Sequence, residues 1–211
     1  MMNAKSITIP EGEVTRILID GEPVWKKNPL PAGYTALHYI QTDGTQYINT
    51  NFRPNYNTRV VMDFALTRTD ILNGIFGGRN TTTDNAYYFD ITDAAEMRFG
   101  YGDARYLAGT IDTDRHTADL NKNVFRLDGL ILGTAEESTS TAGKNLYLGA
   151  VMGSKVYHGY VRIYSCQVYD DGTLMRDFLP CINADGEIGM YDKLNGVFYG
   201  NAGSGEFITA T

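Results

Sequence analysis

The chain has 211 residues, 43% of them hydrophobic, which suits one sandwich-sized domain plus a small appendage and excludes global disorder. Its 18 basic residues are scattered among 25 acidic ones, for a net charge of −7, which excludes a nonspecific nucleic-acid footprint and an anionic membrane surface as partner. No apolar run reaches the roughly 18 residues of a membrane-inserted span, and 15 Tyr and 23 Gly against 6 Pro favour an all-β chain.

Residues 1–28 read as a small N-terminal β-unit, and their first residues lack the basic start and apolar block of a secretory signal. Ser6–Ile9 alternates like a strand, Pro10–Glu13 is a turn, and Val14–Ile19 is a second strand. Asp20-Gly21 is a tight hairpin signal leading into a short strand, Pro23–Trp25. Trp25, the only Trp, is expected as the core anchor of this unit. Residues 29–33 carry two prolines in three positions and read as a linker, since proline cannot donate to a ladder.

The main domain is expected to span 34–211. Strands are predicted at 37–40, 44–50, 59–66 and 74–78, followed by a polar loop over 79–84. Residues 85–101 read as a hairpin turning at Thr92–Ala95. Tyr87, Phe89 and Ile91 share an apolar face with Met97, Phe99 and Tyr101, while Tyr88, Asp90, Glu96 and Arg98 form a polar, solvated one. Further short strands follow at 105–108, 115–120, 123–127, 130–133, 145–149, 158–169, 187–191 and 196–199. Asp128-Gly129 is another hairpin turn, and Thr134–Gly143 is a low-complexity polar loop of the kind glycan recognition often uses. Regular short strands separated by Gly, Asp and Asn turns describe an antiparallel two-sheet sandwich.

The segments Gly44–Thr50, RVVMDFAL, GIFGG, HTADL…VFRLDG, NLYLGA and GYVRIYSCQVYDDG, in that order, resemble a laminin G-like, concanavalin A-like jelly roll. The tail MRDFLPCINADGEIGMYDKLNGVFYGNAGSGEF resembles the close of such domains in tail and other virion proteins of phages and prophages from gut bacteria. The head ITIPEGEVTRILIDGEPVWKK resembles short N-terminal modules of the same kind of protein. The resemblance implies two packed antiparallel sheets, one of them concave, with carbohydrate held on the concave face or at the loops of one rim. It implies calcium at the rim in many relatives, for which Asp90, Asp93, Asp103 and Asp112 are the acidic candidates here, although no compact DxDxDG loop occurs. No other cofactor is expected.

Chemistry finds little support in the spacing. No ExDxxE-like alternation of carboxylates occurs, and Glu96 is expected to pair across strands with Arg98 or another base. No GxSxG is present, and the three histidines, His38, His116 and His158, are widely separated. Cys166 and Cys181 are either two buried thiols or a disulfide joining strand 160–169 to the next segment. The expectation is a non-enzymatic binding module. Its ligand candidates are Tyr88, Tyr101, Tyr106 and Tyr157, whose rings suit sugar faces, with Arg79, Asp90, Arg98, Asp103 and Arg105 as polar partners. The expected partners are a cell-surface glycan and, through the N-terminal unit, other virion proteins. The expected location is the virion, made in the bacterial cytoplasm. A purely structural virion protein and a commensal bacterial surface adhesin are the alternatives, and a glycoside hydrolase is a weaker one. Tail proteins often form homo-oligomers, though no heptad run argues for one here.

Overall fold

The computed structural model describes residues 30–81 and 84–210, together with the backbone of Arg16–Ile19 and Glu22–Lys26. The expected strand at 6–9, the packing of the Trp25 side chain and the first residue of the linker lie outside the described residues. The strands begin with β1 (Arg16–Ile19) and β2 (Glu22–Lys26), an antiparallel pair around the expected Asp20-Gly21 turn. They continue as β3 (Thr35–Ala36), β4 (Tyr39–Gln41), β5 (Ile48–Asn49), β6 (Thr58–Leu66), β7 (Asn73–Gly78), β8 (Ala86–Ile91) and β9 (Glu96–Gly102). Next come β10 (Ala104–Thr110), β11 (Arg115–Asn121), β12 (Val124–Leu127), β13 (Leu130–Thr134), β14 (Tyr147–Leu148), β15 (Ala150–Val151) and β16 (Tyr157–His158). The last are β17 (Val161–Asp170), β18 (Thr173–Ile182), β19 (Ile188–Asp192), β20 (Val197–Gly200) and β21 (Ile208–Ala210).

The described residues contain no helix. Two antiparallel sheets pack as a jelly-roll-like sandwich. The smaller runs β10-β9-β8-β7-β14-β5. The larger runs β13-β12-β11-β6-β17-β18-β19-β20, with β3, β4 and β21 attached at its flank. Period-two patterning explains the assembly. On β6, Val60, Met62 and Phe64 are fully buried while Arg59, Val61 and Asp63 face outward. Facing them from the small sheet are Tyr87, Phe89 and Ile91 of β8 and Met97, Phe99 and Tyr101 of β9, as the sequence predicts. Phe89 joins the sheets, with its ring 5.7 Å from Phe64 and 4.8 Å from Phe125. The Tyr87 hydroxyl lies 2.6 Å from the Leu120 carbonyl and 3.1 Å from that of Thr58, so the buried phenol spans the sandwich with its proton satisfied.

Two-residue turns set the register of two hairpins. Asp128-Gly129 and Asp171-Gly172 both have positive φ at each residue, which matches the strand twist. The outer face of the large sheet is polar. Arg59 forks onto Asp119 and Arg115 onto Asp63, while Arg115 also lies 3.9 Å from the Tyr164 ring centroid.

Several expectations change. The strand expected over 44–50 is ordered as β only at Ile48–Asn49. The ten-residue β18 has no counterpart in the sequence reading because Pro180 interrupts its pattern. Pro180 is tolerated where β18 changes neighbours: Phe178 still pairs with Cys166 of β17, and Cys181 pairs with Ala36 of β3. The cysteines are unbonded. Cys166 points into the main core, whereas Cys181, three residues past the Phe178 partner of Cys166, faces the opposite side with Leu30 and Tyr191. Leu30, the second residue of the expected linker, is buried in that contact.

Candidate functional site

The predicted ligand residues separate into two groups. Tyr101, Asp103 and Tyr106 belong to one rim of the sandwich. Tyr88, Asp90, Arg98, Arg105 and Tyr157 gather on the outer face of the small sheet.

At the rim, the loop 134–143 has no strand of its own, yet it is fastened along its length. Asn123 donates to the Ala135 carbonyl (2.9 Å) and to the Glu137 carboxylate (3.2 Å). Glu136 N donates to the Tyr106 hydroxyl at 3.1 Å, and Ser140 N to Ser138 Oγ at 3.0 Å. Arg53 Nε donates to the Ala142 carbonyl at 2.6 Å, and Asn55 bridges to Thr141. Tyr101 and Tyr106 are therefore supports and not stacking platforms. The Tyr106 ring stacks on Phe99 at 5.2 Å, and the Tyr101 hydroxyl donates to the Tyr56 carbonyl at 2.9 Å. Burial, followed by the nearby Glu137 charge, pushes the Tyr101 phenol up. Both rings point inward because they share the apolar face of the β9–β10 pair.

Between this loop and the segment before β6 lies an open groove of about 580 Å3. That is within the usual range of small-ligand sites, roughly 300–1,000 Å3. Tyr56, Asn57, Asp103, Lys122, Glu137 and the hydroxyl run 138–140 line it. Tyr56 is 40% exposed. Asp103 accepts from Asn85 N through one oxygen, and Glu137 uses one oxygen on Asn123. The second oxygen of each carboxylate, the Asn57 amide and the Thr139 and Ser140 hydroxyls have no protein partner among the described residues. The groove thus presents one aromatic face, free amide and hydroxyl groups, two carboxylates and Lys122. Of these only Asp103 is a residue that the sequence marks individually. Tyr56 carried a usable signal, an aromatic between two asparagines in a polar segment.

On the outer face of the small sheet the expected solvation is reversed. Ala86, Tyr88 and Asp90 are buried, because residues 150–159 cross over β7 and β8. Gly74 permits this crossing, since a Cβ there would overlap the Tyr157 carbonyl oxygen. Gly100 plays the same part for Tyr88, whose ring lies across it. Asp90 is completely buried and receives a two-pronged fork from Arg98, with Nε at 2.8 Å and Nη2 at 2.9 Å. Burial raises the Asp90 carboxyl above its ordinary value, and the Arg98 fork opposes this by donating to the ionised carboxylate. Glu96 instead accepts from the Thr92 hydroxyl and is not the partner of Arg98.

The four calcium candidates do not converge. Asp90 is committed to arginine. Asp93 and Asp112 lie at one end of the β8–β10 meander, and Asp103 lies at the other. No group of three or more potential ligands assembles among the described residues.

His116 is held between two carboxylates, Nδ1 at 2.7 Å from Asp128 and Nε2 at 2.9 Å from Asp112. Partial burial lowers its proton affinity, the two carboxylates raise it, and the net direction is up. With both nitrogens occupied, the ring has no free position from which to activate a nucleophile. Burial pushes the Cys181 thiol to about 11 and the Cys166 thiol higher still, which removes both as thiolate nucleophiles. A second, smaller cleft of about 360 Å3 lies between the β18–β19 and β20–β21 connections, with Asp185, Glu187 and Glu206 on its walls.

The chain is a jelly-roll-like β-sandwich with an open polar groove at one rim. No family model matches the chain, and no curated protein does. Among solved structures it resembles one described as a "putative carbohydrate binding protein" from Bacteroides ovatus, with a TM-score of 0.54 at 11% identity. The match covers 83% of this chain and 60% of the other, so the chain spans less than two thirds of that protein. At this identity the likeness establishes the fold.

Proposed function

We propose that the protein is a non-catalytic carbohydrate-binding module whose ligand sits in the rim groove. The observation that carries this reading is the groove's composition: an exposed Tyr56 beside unpartnered amide, hydroxyl and carboxylate groups on a loop fastened in place. Hydroxyl-rich ligands need many donors and acceptors plus one apolar face, and a fixed loop binds without a large ordering cost. The description of the Bacteroides ovatus protein as a "putative carbohydrate binding protein" is consistent with it. The laminin G-like character of the domain and its place in a phage or prophage virion rest on the sequence resemblance. In that setting the sandwich recognises a cell-surface glycan and the N-terminal unit docks to other virion proteins.

A glycan array followed by calorimetry tests the reading. Saturable binding is expected, and Tyr56→Ala lowers affinity by about three- to tenfold, the usual worth of one aromatic contact. Silence across neutral and acidic bacterial and host glycans overturns it.

One observation favours a second reading, that of a structural protein packing against neighbours. Leu107 on edge strand β10 is 64% exposed, and Leu130 and Ile131 on edge strand β13 are 70% and 61% exposed. Concentration-dependent self-association that Ile131→Lys abolishes would favour it.

A further inference from the structure

The outer face of the small sheet carries more positive charge than its own carboxylate can answer. Asp90 gives both oxygens to the Arg98 fork. Arg79 is 1% exposed, and its Nη1 stands 4.0 Å from Asp90, outside hydrogen-bond reach. Its Nε and Nη1 are buried without a partner. The guanidinium lies between two rings, 4.4 Å from the Tyr157 centroid and 4.8 Å from that of Tyr88. Ring faces stabilise a cation but accept none of its N–H groups in the way an oxyanion does. A third cation, Arg105, is exposed on β10, opposite Gly100 of β9 and in the row that carries Tyr88. All three arginines act on the Asp90 carboxylate. Glu96, the other acid on this face of β9, lies at its far end and is bonded to Thr92. Three guanidinium groups thus share one carboxylate, in a protein whose net charge is −7.

We propose that this face is an anion subsite, in which Arg98 and Arg105, backed by the surplus buried charge of Arg79, hold the carboxylate of an acidic sugar. A planar carboxylate matches the open guanidinium fork of Arg105, while Arg98, whose Nε and Nη2 are spent on Asp90, adds its remaining N–H groups and its charge. The chemical class is a uronic or other carboxylated sugar. The position favours a glycan over a free ion. Asp103 of the rim groove lies in the turn just before β10 and Arg105 is the second residue of that strand, at most about 7 Å apart along the chain, so one chain of sugars reaches both. The groove, with Asp103 and Glu137, repels a carboxylate, and the arginine face attracts it. This inference rests on the carbohydrate reading and makes it specific.

The test is a titration followed by amide and arginine Nε–Hε resonances, with D-glucuronate, D-glucose and acetate as parallel probes at constant ionic strength. Glucuronate is expected to shift the Arg79, Arg98 and Arg105 signals saturably and about tenfold more tightly than glucose or acetate, the worth of one charge-assisted bond. Arg105→Gln, an exposed change, should remove that advantage while leaving the melting curve unchanged. Acetate binding as tightly as glucuronate would show a free-anion site and overturn the sugar assignment. Arginine signals that do not move, or an unchanged preference in Arg105→Gln, would overturn the subsite. The carbohydrate reading is scored separately, on Tyr56, Asn57 and Ser140 amides against neutral oligosaccharides. Their response with silent arginines would sink this inference and leave that reading standing.

Discussion

The substitution Gly100→Ala probes the packing that makes the arginine face. Gly100 has no Cβ because the Tyr88 ring occupies that space. A Cβ there would sit 2.8 Å from Cζ of Tyr88 and closer still to Cε1 and Cδ1. Tyr88 cannot yield easily, being completely buried with the Arg79 guanidinium against its face. Overpacking costs about 1–3 kcal/mol, and displacing the ring forfeits up to about 2 kcal/mol of desolvated cation–π attraction. The expected loss is therefore about 3 kcal/mol, or roughly 6–12 °C in melting temperature for a chain this size. Urea unfolding followed by circular dichroism measures it. The diagnostic step is to repeat Gly100→Ala in a Tyr88→Ala background, where the new methyl has room and should cost under about 1 kcal/mol. Equal costs in the two backgrounds, or a melting temperature within about 1 °C of wild type, would refute the packing argument.

Three further outcomes follow from the structure. The fold raises the proton affinity of His116 and lowers that of Asp112 (backbone bond from Asp114 first, then His116) and of Asp128, where the His116 and Thr117 bonds outweigh burial. His116 therefore stabilises the fold fully below its unfolded value of about 6.5, and this is lost as pH rises through the folded value. The two aspartates contribute above their unfolded 3.8 and lose their contribution as pH falls through the folded values. The urea midpoint of wild type should decline between about pH 6 and 8, and His116→Gln should flatten that slope; parallel slopes would contradict the arrangement. Ellman's reagent should find no fast-reacting thiol in the native protein and two after unfolding, since both cysteines are buried and unbonded. Ala95, in the β8–β9 turn, has φ of 59°. Ala95→Gly should raise the melting temperature by about 1–4 °C, because relief of the left-handed strain exceeds the added unfolded-chain entropy.

Alternation made much of the sandwich legible. RVVMDFAL buries every second side chain, and the two faces of 85–101 were separable because Tyr87, Phe89, Met97 and Phe99 are large and apolar. Local pattern failed where a third element decides the environment. Tyr88, Asp90 and Arg98 read as a wet face, and nothing in their own strands reveals that residues 150–159 cover it. β18 was hidden by Pro180, whose missing donor matters only when the change of neighbouring strand is known. The rim groove was half visible. The polar loop 134–143 stood out by composition, but Tyr56 and Lys122 come to it from separate segments, joined by tertiary bonds such as Arg53 to Ala142.

The same covering segment explains why the tyrosine-rich composition was an ambiguous guide. A phenol stacks on a sugar only when its ring face is open, and here most rings face something else. Tyr101 and Tyr106 support the rim loop, Tyr88 and Tyr157 flank Arg79, and Tyr164 is stacked by Arg115. Tyr56 differs, since it borders the groove, is 40% exposed and takes part in no ring stacking or arginine contact among the described residues. The discriminating quantity is the free area of the ring, which neither residue type nor strand position supplies. Under the proposed carbohydrate reading, recognition is therefore expected to depend on a single aromatic contact and a surrounding set of polar ones. Such a site has low affinity for one sugar unit and gains from several copies engaging one surface.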